Sequence, residues 1–317
     1  MPNKNLGFGI TCIDTEHIRK DMVAAYLIED SGEVAFVDTG SHLSVPNLLD
    51  TLDQKNIAYS DVKYIILTHI HLDHAGGAGQ LLKSLPNATV YVHERGARHL
   101  VNPKKLREGV IGVYGDLFFK QFLGDLIPIP EDRITIASDG DEIKLGTRSL
   151  KIIDTPGHAR HHVCIWDEKS KGIFSGDTLG VSYREFDSIN GEFIFPPTTP
   201  VQFDPLVWNE TIDNLLILNP DRAYLTHYCM IPFNVHIANK LKDEINNFAS
   251  IAIKLADSKN RHKDITLALL DHLLDAANKH KVTLDKGAQS KLFKGDLGVC
   301  ARGLGVWLDQ QESLTNK

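Results

Sequence analysis

Short apolar runs over residues 22–28 and 34–38, with the turn formers Glu29-Asp30-Ser31-Gly32 between them, predict a β-hairpin that opens the fold. Residues 45–55 carry helical spacing, 63–67 form an apolar run short enough for a buried strand, 78–84 read as helix and 89–92 as strand. From 95 to 130 the pattern changes to a helical, aromatic-rich insertion, with Val110, Val113, Tyr114, Leu117, Phe118, Phe122 and Leu126 supplying core or lid. Short alternating runs at 133–136, 142–145, 149–154, 162–166 and 172–175, separated by Gly, Asp or Lys turns, predict a second sheet. Residues 206–218 form an amphipathic helix and 222–226 a last strand. Beyond Pro232 the chain turns helical, over roughly 236–256, 264–280 and 287–311.

Two β-rich halves, each flanked by helices, imply an α/β protein built as a four-layer α/β/β/α sandwich with its sheets face to face. The expected organisation is a catalytic domain over 1–232, interrupted by the 95–130 insertion, and a helical C-terminal extension over 233–317. The apolar face of Leu267, Leu269, Leu270, Leu273, Leu274 and Ala277 needs a partner, either as a lid or in a homodimer. Gly295 to Trp307 mixes small and apolar residues in the manner of close helix packing, and it lacks the G-x-x-x-x-G-K-[ST] phosphate loop.

The 317 residues exceed what one average domain needs, and 42% hydrophobic with 24% charged residues is ordinary for a globular chain. With 34 basic and 41 acidic residues the net charge is −7, and without a basic run this excludes nucleic acid as a bulk partner. No apolar segment follows a basic start in residues 1–14, and no stretch reaches the roughly 18 apolar residues of a membrane span, so the expectation is a cytoplasmic protein without a membrane partner. Cys12, Cys164, Cys229 and Cys300 lie far apart and read as reduced, packed thiols.

Histidine changes the picture. Thr68-His69-Ile70-His71-Leu72-Asp73-His74 closes a buried strand, and three imidazoles and a carboxylate within six residues have no packing explanation. His69 and His71 project to one side of an extended backbone, while Asp73 and His74 occupy the turn into the next helix, so one segment can feed two metal ions. His158, Asp177 and His227 also sit where a predicted strand runs into a loop. Their wide separations suit a site assembled at one sheet edge with open coordination positions, not a compact zinc knuckle.

With Val37-Asp38-Thr39-Gly40 ahead of them, these motifs resemble the metallo-β-lactamase-fold superfamily over about residues 20–230. That resemblance implies that His69, His71 and His158 bind a first metal and Asp73, His74 and His227 a second. Asp177 would bridge the two, and Asp38 would orient a ligand histidine. Zinc is the first expectation, with iron or manganese as alternatives. Zinc β-lactamases carry cysteine at the position of Asp177, and flavodiiron reductases an acidic residue at that of His71. The chain therefore looks more like the dinuclear hydrolases related to glyoxalase II, the lactonases and the phosphodiesterases, and its helical tail is similar to that of the quinolone-signal thioesterases.

Two divalent ions, the carboxylates of Asp73 and Asp177 and a bridging hydroxide leave about +1 at the cleft floor, which favours a small anionic ester, thioester, lactone or phosphodiester. Asp73, as a ligand beside that hydroxide, is expected to orient the nucleophile and shuttle its proton. His161, Tyr183, Arg184 and Tyr228 are the candidate substrate contacts, and His162 reads as a packed histidine. Two other functions fit the same ligands: a diiron protein handling dioxygen or nitric oxide, and a metal-containing effector without turnover.

Overall fold

The computed structural model describes residues 3–227 and 229–315. Both sheets belong to one compact unit, formed by everything up to Asp154 together with His161–Gly176 and Pro220–Pro232. The first sheet holds seven strands in chain order: β1 (Lys4–Asn5), β2 (Ile10–Asp14), β3 (Ala24–Asp30), β4 (Glu33–Val37), β5 (Val62–Ile66), β6 (Thr89–Val92) and β7 (Ile134–Ile136). It is antiparallel up to β4 and parallel from there. Parallel neighbours require crossovers, and α1 (Val45–Gln54), α2 (Leu72–Ala75) and α3 (Ala78–Ser84) supply the first two.

The second sheet comprises β8 (Glu142–Leu145), β9 (Arg148–Asp154), β10 (Val163–Asp167), β11 (Gly172–Gly176), β12 (Arg222–Leu225) and β13 (Cys229–Pro232), hydrogen-bonded in that order, with β11 and β12 parallel. Strand alternation sorts the core. Val37 and Ile66 join Tyr26, Ile165, Phe174 and Tyr224 in one apolar cluster, while their neighbours Phe36 and Ile65 join Leu48, Leu52, Leu81 and Leu82 of α1 and α3 in another.

The second unit contains Thr155–Arg160, Asp177–Asn219 and everything from Phe233 on. Its helices are α7 (Pro205–Leu216), α8 (Val235–Lys254), α9 (Arg261–Lys279) and α10 (Lys286–Thr315); the numbers between belong to α4 (Glu94–Val101), α5 (Lys104–Tyr114) and α6 (Asp116–Phe118) of the first unit. The Asp204 and Asn234 side chains accept backbone N–H groups at the starts of α7 and α8. In α9, Ile265, Leu269, Leu273 and Ala277 form a fully buried stripe, while Leu267 stays 49% exposed.

Several details differ from the sequence expectation. The fold opens on β1 and β2, ahead of the predicted hairpin, and β13 follows the strand read as the last. The 95–130 insertion is three helices and a π-helical turn, Phe119–Leu123, followed by residues without helix, and α5 buries none of its side chains. All four cysteines are buried and none is in a disulfide. Among the described residues no helix is long and apolar enough to cross a membrane.

Candidate metal centre

The carboxylate of Asp38, directly after β4 and 1% exposed, organises the first unit's share of the site. It accepts the Thr68 backbone N–H at 2.8 Å, the Thr68 hydroxyl at 2.9 and 3.0 Å, His74 Nδ1 at 2.9 Å and the Thr226 hydroxyl at 3.0 Å. Asp38 itself is left-handed, φ 56°, a conformation that aspartate tolerates better than most residues and that functional sites often retain. The next residue holds α2 in place: Thr39 donates its backbone N–H and its hydroxyl to the His74 carbonyl at 2.7 and 2.9 Å.

These bonds fix which ring nitrogen each histidine presents. Asp38 takes the proton on His74 Nδ1, so Nε2 carries the lone pair. Thr68 gives its single hydroxyl proton to Asp38, so its oxygen accepts from His69 Nδ1 at 3.1 Å and His69 also presents Nε2. That atom lies 2.8 Å from His71 Nδ1. His162 is fully buried, its ring stacked on His69 with centroids 4.8 Å apart. Gly176 gives it room: a Cβ there would lie 2.5 Å from His162 Nε2 and 2.6 Å from the Thr68 hydroxyl.

Asp73, His74 and His227 form a group whose ligand atoms all lie within 4.8 Å of one another. Asp73 Oδ2 is 3.4 Å from His227 Nε2 and 3.8 Å from His74 Nε2. Metal–nitrogen and metal–oxygen bonds of about 2.0–2.1 Å at tetrahedral angles separate ligands by about 3.3–3.5 Å, so the donor set and spacing fit a divalent ion. Burial works to raise the Asp73 pKa, but the charges of His74, His227 and His17 and a hydrogen bond from His227 outweigh it, and the carboxyl lies well below the usual range. His17, at 6% exposure, is a residue near the site that the sequence did not reveal, since no motif surrounds it.

In the second unit His158 and Asp177 face each other, Nε2 to Oδ2 3.5 Å, the same ligand-pair spacing. His158 Nδ1 donates to the Pro197 carbonyl at 2.8 Å, so again Nε2 carries the lone pair. Trp208 of α7 packs against His158, ring centroids 5.6 Å apart, and its indole N–H donates to the carbonyl of Thr178, the residue after Asp177, at 2.7 Å. The chain passes close to this tryptophan at Gly157, φ 131°, where a Cβ would stand 2.4 Å from the Trp208 Cα.

Of the candidate substrate contacts, His161 is half-buried with its ring 5.7 Å from His71, and burial together with the charge of His71 lowers its pKa to about 3. Tyr183 is buried in the second unit and its hydroxyl donates to Asp296 at 2.7 Å; Arg184 follows it, half-buried. Tyr228 lies outside the described residues.

The family model described as the metallo-beta-lactamase superfamily matches residues 18–227. A metallo-beta-lactamase fold-containing protein of Sulfurisphaera tokodaii is 29% identical over 212 residues, covering 65% of this chain and 73% of that protein. The human acyl-coenzyme A thioesterase MBLAC2 is 29% identical over 191 residues, 56% of this chain and 66% of its own. A hydroxyacylglutathione hydrolase of Francisella philomiragia is 33% identical over 115 residues, 36% of this chain and 33% of its own. The alignments thus span from a third to about three quarters of these relatives. Among solved structures, an archaeal metallo-beta-lactamase superfamily protein from Sulfolobus tokodaii superposes with a TM-score of 0.64 at 23% identity, covering 93% of this chain and 98% of that one. A metallo-beta-lactamase family protein from Thermus thermophilus gives 0.67 at 21%, covering 96% and 94%. Both have the fold found here, an α/β sandwich of two sheets flanked by helices with further C-terminal helices.

Proposed function

Since the chain belongs to the metallo-β-lactamase superfamily, we propose that it is a dinuclear metal-dependent hydrolase of a small ester, thioester, lactone or phosphodiester. In this reading His69, His71 and His158 would hold one ion and Asp73, His74 and His227 the other, and Asp177 would serve both. The observation that carries the reading is the Asp73–His74–His227 group, with the His74 tautomer fixed by a buried carboxylate. When bound, the ions acidify water and polarise the oxygen under attack, which supplies hydrolysis without a serine or cysteine nucleophile. Asp73, kept ionised by the imidazoles around it, is an acceptor only and aligns water through its carboxylate oxygens. His161, neutral beside His71, is the first substrate contact to examine.

Thioesters come first among the four classes, because one relative is named an acyl-coenzyme A thioesterase and another a hydrolase of an acylglutathione. Elemental analysis of the purified protein and a hydrolysis panel across the four classes test the proposal. Two metal equivalents and turnover in at least one class are expected. His71→Ala should lose both metal and rate, and His262→Ala neither. A metal-replete sample inert on the whole panel removes the hydrolase reading.

A further inference from the structure

The loop between β2 and β3 brings His17 beside the Asp73 group. Burial lowers its pKa, and Asp73, His227 and His74 lie close enough for their charges to act on it, so the ring is neutral at pH 7. That ring gives its one proton to the Phe122 carbonyl, while Nδ1 is buried and has no hydrogen-bond partner among the described residues. Nδ1 therefore carries the lone pair of the neutral imidazole and can only accept. A buried polar atom left unpaired in a native structure calls for an explanation, and an arriving donor provides one.

His17 lines a cavity of about 240 Å³ whose wall is mostly polar. Most of that wall accepts hydrogen bonds. The Asn47 amide donates to the Asp14 carbonyl at 3.2 Å, which leaves its Oδ1 as an acceptor, and the Thr15 hydroxyl uses its proton on the Val23 carbonyl at 2.8 Å. The Ser41 and Ser44 hydroxyls, both buried and 3.3 Å apart, need one proton between them and keep one O–H to give. Gly40, φ 67°, lets this wall close, since a Cβ there would stand 2.7 Å from Ser44 Oγ and 2.9 Å from Thr15 Cγ2. The Gly40 carbonyl accepts the Gly77 N–H at 3.0 Å, which ties the wall to the segment just after α2, the helix of Asp73 and His74. Glu16 is the one carboxylate on the wall, and among the described residues no lysine or arginine lines it.

We propose that this cavity binds an uncharged arm of the substrate that carries amide N–H or hydroxyl groups. One such donor meets His17 Nδ1, another meets Asn47 Oδ1, and the spare serine O–H meets a carbonyl or hydroxyl oxygen of the arm. Ile18, Leu43 and Phe122 cover the carbons between those polar atoms. The inference rests on the hydrolase reading and deepens it. At about 30 Å³ per water-sized group the cavity holds about eight non-hydrogen atoms, enough for a secondary amide with its flanking carbons and less than the roughly 300–1,000 Å³ of a pocket for a whole ligand. A purely apolar arm would leave the acceptors unpaired, and an anionic one would meet Glu16 without a cation.

The test uses pairs of thioesters that differ only in N–H against O. On the thiol side, S-acetyl-N-acetylcysteamine is compared with S-acetyl-2-acetoxyethanethiol, and on the acyl side the N-acetylglycyl thioester of ethanethiol with the acetoxyacetyl one. With the alkaline hydrolysis rates divided out, the N–H member of one pair should be favoured about threefold to tenfold in kcat/KM, the ratio that one net hydrogen bond supplies. His17→Phe should bring that ratio to about one, and His262→Ala should keep it. Turnover without preference in either pair, or an undiminished preference in His17→Phe, overturns the subsite. Titration with N-acetylethanolamine, followed through the nitrogen NMR signals of the His17 ring and the Asn47 amide, reads the cavity without turnover. Both signals should shift, whereas 2-methoxyethyl acetate, which has no donor, should leave the His17 ring unmoved. That pattern in a protein that hydrolyses no thioester leaves the subsite standing and removes the hydrolase reading, and absence of any shift, or equal shifts with the two compounds, removes the subsite.

Discussion

Asp38 accepts hydrogen bonds from Thr68, His74 and Thr226, three residues far apart in sequence, and shows how one side chain can set a site. Its two oxygens are saturated by donors, so an amide at this position must turn a donor toward at least one of them. Asp38→Asn should therefore cost about 2 kcal/mol of stability, the penalty for a buried donor without an acceptor. It should also weaken metal binding 10- to 100-fold, the usual consequence of losing a partner that orients a ligand histidine. Thr226→Val removes one donor without touching His74 and should leave metal affinity near that of the wild type. Metal titration calorimetry on the two variants separates the effects, and equal affinity in Asp38→Asn and wild type contradicts the orienting role. The importance of Asp38 was legible because it stands in Val37-Asp38-Thr39-Gly40. His17 was not, because nothing in its neighbours marks it and only the folded loop brings it toward Asp73.

At the scale of elements, α10 shows where sequence reading reached its end. Gly295, Gly298 and Gly303 all looked like sites of close helix packing, yet only one of them is. A Cβ at Gly303 would stand 2.0 Å from the Thr198 carbonyl oxygen, whereas nothing lies within 4 Å of one at Gly295 or Gly298. The same substitution in one helix should thus have opposite signs. Gly295→Ala should stabilise by about 0.5–1 kcal/mol through helix propensity, and Gly303→Ala should destabilise by about 1–3 kcal/mol through overpacking. Thermal unfolding of both variants checks this, and a shift of the same sign would mean that Gly303 is not a contact point. Composition shows that glycine is there but not what faces it. Strands with strong alternation, such as β6 and β8, were legible to the residue. The two-residue β1 and the Pro-ended β13 lack that signal and exist because a longer neighbour pairs with them.

Across the first unit, chemistry and structural charge occupy opposite ends of the strands. Asp38, the 69–74 run and His227 all follow the carboxyl ends of β4, β5 and β12, and parallel neighbours deliver such loops to one edge. This is why the ligand motifs could be read from strand ends alone. At the other end, Asp30 accepts the Lys169 ammonium at 2.5 Å and the Thr147 backbone N–H and hydroxyl at 2.8 and 2.7 Å, joining the β3–β4 turn to the β8–β9 and β10–β11 turns of the other sheet. Lys169 first, then Thr147, hold the Asp30 carboxyl far below its ordinary range. A lowered folded-state pKa contributes stability that is complete above the unfolded value of about 3.9 and is lost progressively as pH falls from there through the lower folded value. Asp30→Asn should therefore cost about 1–2 kcal/mol at pH 7, discounted because Lys169 is half exposed. The gap to wild type should shrink as the pH falls below about 4, where the wild-type carboxylate also loses its charge advantage. Urea midpoints for both proteins at pH 7 and pH 3 measure it. A gap at pH 3 as large as at pH 7, or larger, would mean that the carboxylate's charge does not clasp the two sheets, and that packing of the turns holds this end without it.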